Sequence, residues 1–69
     1  MKINKDNLVD CIMDYEQGEM SSEDTLLFFS YLVKTGMVNQ LQGSYGRTAQ
    51  KLKEYEYLDK SGNILKDLE

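Results

Sequence analysis

The chain has 69 residues with a formal net charge of −4, and its charged fraction of 29% is ordinary for a globular protein. A chain this short makes one small domain, so we expect residues 1–69 to form a single unit of limited stability. With one cysteine and no histidine, an internal disulfide is excluded and the commonest general base is missing. No apolar run approaches the roughly 18 residues that cross a bilayer, so we expect a cytoplasmic protein without membrane contact.

The first predicted element is a helix over residues 4–17. Asn4 suits its N-cap because an asparagine side chain can accept from free first-turn amides, and Gly18 suits the left-handed residue that ends a helix. Apolar side chains recur at the spacing of one helical face, and two more widen that stripe: Leu8, Cys11, Ile12 and Tyr15, then Val9 and Met13.

The second predicted helix begins at Ser21 or Ser22 and ends at Gly36. Ser21 and Asp24 have the spacing of a weak capping box. Residues 26–33 are apolar on nearly every side, which is typical of a helix that is central or covered by a partner. A homo-oligomer is therefore one expectation, since two flanking helices in so short a chain can leave apolar surface uncovered.

The C-terminal half is less regular. Residues 37–41 predict a turn or short helix, and Ser44 can cap a third helix with one apolar face formed by Tyr45, Thr48, Ala49, Leu52 and Tyr55. Gly46 in its first turn predicts close approach of another backbone. A strong turn signal over residues 59–63 predicts a small hairpin or an irregular tail.

The fold class expected from these elements is all-α, a compact three-helix bundle with an irregular or hairpin-like C-terminal extension. The predicted core consists of Leu8, Ile12, Tyr15, Leu26, Phe29, Leu32, Val33, Leu41, Ala49 and Leu52.

No pattern in the sequence indicates catalysis. Cys11 lies in an apolar helical stripe without a histidine to activate it, so we interpret it as core. Asp59, Ser61 and Asn63 alternate like the start of a calcium loop, but the sixth position is Ile64 rather than glycine. We therefore predict neither an enzyme nor a metal or cofactor site.

The charge distribution points to a binding surface. Residues 30–53 hold four bases and no acid, whereas both flanking segments are acidic. This basic stretch contains residue types suited to a protein partner, which we take as the candidate binding residues: Gln42, Ser44, Tyr45, Arg47, Gln50 and Lys51. An alternative makes them internal braces, with Arg47 paired to Glu16 or Glu19. A second alternative is DNA binding by a helix-turn-helix, in which the second and third helices are joined through Gly36 and residues 57–65 form a rudimentary wing.

Two segments resemble a family of short, mostly uncharacterised bacteriophage proteins. Residues 14–20 read DYEQGEM and residues 41–49 read LQGSYGRTA, similar to the YEQGEL and LQGxYGRTA stretches of that family, with Met20 in place of the leucine. The resemblance implies a phage accessory protein in the host cytoplasm, without a cofactor. We therefore expect a protein that binds a host or phage protein and modulates or inhibits it, with a small DNA-binding regulator as the alternative.

Overall fold

A computed structural model describes residues 3–41 and 43–65. Three α-helices follow one another, α1 (Leu8–Glu16), α2 (Ser22–Thr35) and α3 (Gly43–Glu54), with a short 3-10 helix, Met37–Gln40, between α2 and α3. The all-α prediction of three helices is confirmed. Leu58 and Ile64 form an antiparallel bridge, so the C-terminal extension is hairpin-like over the residues described. Within these ranges, none of the helices has both the length and the apolarity needed to span a membrane.

The entry to α1 is held by two asparagines. The side-chain oxygen of Asn4 accepts from the backbone amides of Asp6 and Asn7, and that of Asn7 accepts from the amide of Asn4. This reciprocal arrangement is that of a capping box. Asn4 makes the predicted side-chain bonds to the amides of the following turn, but it is not the N-cap of α1, which is Asn7, because residues 5–7 form a turn and the helix begins at Leu8.

The helix boundaries around the first loop follow the predicted signals. Gly18 has a φ of 75°, and the amides of Gly18 and Glu19 donate to the carbonyls of Tyr15 and Asp14. This is the Schellman ending of a helix. On the far side of the loop, the hydroxyl oxygen of Ser21 accepts a 3.1 Å hydrogen bond from the amide of Asp24, as predicted. Ser21 is therefore the N-cap, and α2 begins at Ser22.

The apolar stripe of α1 is narrower than predicted. Leu8 and Cys11 are buried, but Val9 and Met13 are 68% and 52% exposed. Positions 9 and 13 lie about 100° around the helix from positions 8 and 12. Because α1 is short and lies at the edge of the bundle, only one narrow face of it reaches the core.

Helix α2 contributes the most buried residues to the core. Its residues Phe28, Phe29 and Leu32 are fully buried, and the rings of Phe28 and Phe29 pack against Tyr15 of α1 and Tyr45 of α3. Leu27 of the same helix is 38% exposed, and the expectation of a homo-oligomer stays a prediction.

The predicted core was close in composition but incomplete. Leu8, Leu26, Phe29, Leu32 and Ala49 are buried, and the other five predicted residues pack half-buried against them. Cys11, interpreted as core from its place in the apolar stripe, is also buried, and the structure adds four further buried residues: Phe28, Val38, Tyr45 and Leu58.

The turn of the hairpin is built by Asp59. One of its carboxylate oxygens accepts from the amides of Ser61 and Asn63, and the other accepts from the Asn63 side chain. These bonds, chiefly those from Asn63, lower the pKa of Asp59. The calcium-like alternation of this segment is thus the signature of an Asx-type turn.

The close backbone approach predicted at Gly46 occurs at Gly62 instead. A Cβ on Gly46 would meet no atom within 4 Å, whereas one on Gly62 would lie 3.0 Å from both the Ser30 carbonyl oxygen and the Val33 Cβ. The prediction for Gly46 was wrong because its side of α3 faces solvent. Gly62 is where the hairpin turn packs directly on the backbone of α2.

Candidate functional site: the exposed face of α3

Helix α3 has one face in the core and one in solvent. Tyr45 and Ala49 are buried, while the exposed residues of the helix are Gly43, Gly46, Glu54 and four of the predicted binding residues: Ser44, Arg47, Gln50 and Lys51. We call these four residues the α3 face. They are four of the six residues predicted to bind a partner, and they stand together because positions 44, 47 and 51 repeat at helical spacing. Gln42, the fifth, lies outside the described residues.

Tyr45, the sixth predicted residue, is not part of this surface. It is only 4% exposed, its ring centroid lies 5.5 Å from that of Tyr15, and its hydroxyl donates a 2.6 Å hydrogen bond to Glu16 Oε2. Burial, and then the bond to Glu16, raise the pKa of Tyr45. Its prediction as an exposed contact was wrong, because an amphipathic tyrosine suits a core position equally well when a polar partner meets its hydroxyl.

Arg47 is not the brace that the alternative interpretation required. Between the described residues, it forms no ion pair with Glu16 or Glu19, and Tyr45 is the α3 residue that meets Glu16. The Arg47 side chain lies along the first turn of its own helix, with Nη1 3.5 Å from the place of a Cβ on Gly43. Its charge therefore faces solvent.

The electrostatics of α3 reinforce that charge. The first turn of the helix contains no acid that would offset the positive end of the helix dipole, and the last turn contains Lys51, Lys53 and the acidic Glu54. The α3 face is thus a positive surface with amide and hydroxyl groups beside it, on a chain of net charge −4.

A groove that sequence reasoning missed adjoins the α3 face. It has a volume of about 470 Å³ and lies between the C-terminal half of α3 and the hairpin, lined by Gln50, Lys53, Glu54, Leu58, Asp59, Lys60 and Leu65. Gln50 belongs to both the groove and the α3 face. The one sequence signal for it was Leu65, an apolar residue beyond the turn, which is 54% exposed.

The two motif segments meet in space, and the fold uses only part of each. Tyr15 and Glu16 of the first segment contact Tyr45 of the second, by ring packing and by the hydrogen bond. Ala49 completes the buried side of the second segment. Ser44 and Arg47 come from the same stretch and remain exposed.

The potentially reactive groups of the described chain are the thiol of Cys11 and the carboxylates of its Asp and Glu residues. The thiol of Cys11 is buried, and burial raises its pKa, with Asp14 and Asp10 raising it further; both effects oppose a reactive thiolate. Within residues 3–41 and 43–65, no group of three or more Cys, Asp or Glu residues is placed to hold a metal ion. The α3 face offers hydrogen-bond donors and positive charge instead.

These features define a small three-helix protein in which the solvent-facing side of α3 carries basic residues, although the net charge of the chain is negative. The chain belongs to the family described as "Domain of unknown function (DUF7417)", which matches residues 2–69. Comparison with curated proteins gave no match, and neither did comparison with solved structures.

Proposed function

We propose that this chain is a small bacteriophage accessory protein that binds a host or phage protein in the host cytoplasm and modulates or inhibits it. The α3 face is the proposed contact surface. The observation that carries the proposal is the split within residues 41–49. Tyr45 and Ala49 are buried in the core, whereas Arg47, a residue of the LQGxYGRTA motif, and Ser44 at its variable position are both exposed.

The residue types on this face favour a protein partner. A guanidinium can form a bidentate, charge-assisted contact to a carboxylate, and arginine is among the residues that dominate interface energetics. Lys51 lies one helical turn beyond Arg47 and extends the positive surface. The face is also rigid, because Tyr45 anchors the same helix to α1 through the bond to Glu16. A pre-ordered face loses less conformational entropy on binding.

The test is Arg47→Ala, with Lys5→Ala as the matched control at an exposed base outside α3. A partner is first recovered from infected host cells, and its affinity and the free energy of unfolding are then measured for each variant. We expect Arg47→Ala to change stability by less than about 0.5 kcal/mol and to weaken partner binding by about 2 kcal/mol or more. Reduced stability with unchanged affinity of the folded protein would make Arg47 structural and contradict the proposal.

Duplex DNA is the second candidate partner, and the order of elements favours it. Helix α3 follows α2 through residues 36–42, and the hairpin bridge of Leu58 and Ile64 follows α3 at the position of a wing. The link between the helices is longer than the 3–4-residue turn of a helix-turn-helix, and the flanking segments are acidic. A salt series separates the candidates by its slope. DNA affinity falls steeply between low and moderate salt because every phosphate contact releases a counterion, whereas a protein contact through Arg47 and Lys51 involves two basic residues and loses less affinity over the same range.

A further inference from the structure

The α3 face and the groove form one continuous surface. Gln50 belongs to both, and Lys53 lines the groove about one turn beyond Gln50. A segment of a partner lying along α3 would therefore pass from a charged region into a partly apolar one. Neither region requires rearrangement to be reached, because both are open in the structure.

The groove has a fixed apolar wall. Leu65 lines it with half of its surface exposed. The Leu65 amide donates a 2.8 Å hydrogen bond to the carbonyl of Tyr57, and the neighbouring Ile64 bridges to Leu58. The leucine is thus held in place by the hairpin, behind which Leu58 is fully buried. An apolar side chain of a partner could cover Leu65 and be removed from water in the same step.

The charges of this combined surface favour a partner segment of negative charge. Arg47 and Lys51 on the face, with Lys53 and Lys60 in the groove, stand against two acids, Glu54 and Asp59. Both carboxylate oxygens of Asp59 already accept hydrogen bonds within the turn. The surface therefore has an excess of positive charge, although the net charge of the chain is −4. A positive surface is electrostatically complementary to an acidic segment of a partner.

We infer that the α3 face and the groove together bind an acidic peptide segment of the partner. Its carboxylates lie on Arg47 and Lys51, and one apolar side chain enters the groove against Leu65. The inference rests on the proposed function and adds to it the chemistry of the bound segment: acidic residues followed by an apolar anchor.

The experiment selects peptides from a random displayed library against the full-length protein and measures the enriched peptides by fluorescence anisotropy. The test variants are Lys51→Glu on the face and Leu65→Ser in the groove. The matched controls are Lys5→Glu and Val9→Ser, a basic and an apolar residue that are both exposed elsewhere. A denaturant titration of each variant confirms that it is folded before its affinity is compared.

We expect enriched peptides to carry several acidic residues and one apolar residue. Each test variant should weaken their binding about tenfold or more, corresponding to about 1.4 kcal/mol, while the controls leave it within about twofold. Acidic peptides that ignore Leu65→Ser would overturn the groove's role and leave the proposed α3 face standing. Apolar peptides that ignore Lys51→Glu, displacement of the peptides by duplex DNA, or no enrichment at all would overturn the inference, and the first of these would count against the proposed function as well.

Discussion

The hydroxyl of Ser30, in the middle of α2, donates a 2.6 Å hydrogen bond to the backbone carbonyl of Gly62, 32 positions along the chain. Both residues are buried. The bond satisfies the hydroxyl of Ser30, the buried polar residue of the described core, and holds the hairpin turn against the central helix. A buried hydroxyl without a partner would cost about 1–3 kcal/mol, so this contact couples the C-terminal extension to the fold.

The first prediction concerns the glycine in this contact. Gly62→Ala should destabilise the protein by about 2 kcal/mol or more. Gly62 has a φ of +93°, and an added Cβ would lie 3.0 Å from the Ser30 carbonyl oxygen and the Val33 Cβ. Left-handed backbone costs roughly 1–2 kcal/mol for a residue with a Cβ, and overpacking typically adds 1–3 kcal/mol. Chemical denaturation measures the change.

Gly46→Ala is the control for that prediction. Gly46 is helical and exposed, and a methyl group added to it would meet no atom within 4 Å. The same substitution there should stabilise the protein by about 0.5–1 kcal/mol, since glycine is unfavourable within a helix. Equal effects at the two glycines would contradict the assignment of Gly62 as the site of close approach.

The second prediction is an alkaline loss of stability that depends on Tyr45. The ordinary tyrosine pKa is 10.0, and burial together with the bond to Glu16 raises the pKa of Tyr45 in the folded state. Above about pH 10 the unfolded chain releases this proton while the folded chain keeps it. The free energy of unfolding therefore falls as the pH rises from about 10 toward the folded pKa.

Tyr45→Phe tests this directly, because it keeps the ring packing and removes the ionisable hydroxyl. We expect a loss of about 1 kcal/mol at neutral pH from the missing hydrogen bond, and a weaker decline of stability above pH 10 than in the parent protein. The measurement is denaturation at several alkaline pH values. An identical pH dependence in both proteins would show that Tyr45 is not the group responsible.

The third prediction concerns the end of α3, where a glutamate occupies the position that glycine usually takes. Glu56 has a φ of 64°. Its amide donates to the carbonyl of Lys53, and the amide of Tyr57 donates to that of Leu52, which is the Schellman pattern. Glu56→Gly should stabilise the protein by about 0.5–1 kcal/mol by relieving the left-handed strain.

Glu54→Gly is the matched change for Glu56→Gly, two positions earlier and still within the helix. It should destabilise by up to about 1 kcal/mol, because glycine there weakens an ordinary helical position. The two free energies of unfolding should therefore move in opposite directions. A destabilising Glu56→Gly would mean that the glutamate side chain contributes more than its backbone strain removes.

The fourth prediction is that Cys11 reacts slowly with thiol reagents in the folded protein. It is 2% exposed, and burial raises its pKa. Its modification should be slower than in denaturant by about 100-fold or more, because opening a small core requires about 3–5 kcal/mol. A Met13→Cys change in a Cys11→Ala background places the thiol at an exposed position of α1 and should react rapidly. Fast modification of Cys11 in the folded parent would contradict its place in the core.

Much of the candidate site was accessible from the sequence, because a helix repeats its faces at a regular spacing. Once α3 was predicted, helical spacing alone placed three of the candidate residues on one side of it: Ser44, Arg47 and Lys51. The spacing placed Tyr45 on the apolar face with Ala49, but whether its side chain would be buried or contact a partner was not accessible in the same way. Its ring suits a core and a surface equally well, and the outcome depended on Glu16, 29 residues away. The groove was missed for the same reason, since its two walls, α3 and the hairpin, are separate segments.

The end of α1 and the start of α2 follow from local sequence patterns, whereas Ser44, predicted to cap α3, lies within that helix, which begins at Gly43. Asn4, Gly18 and Ser21 act through hydrogen bonds to residues no more than a few positions away, so local patterns are sufficient to predict them. The glycine that another backbone approaches was assigned by sequence to position 46 and by the structure to position 62. Tertiary packing decides which glycine another backbone approaches, because the close contact between α2 and the hairpin forms only when residues 32 positions apart in the sequence are brought together.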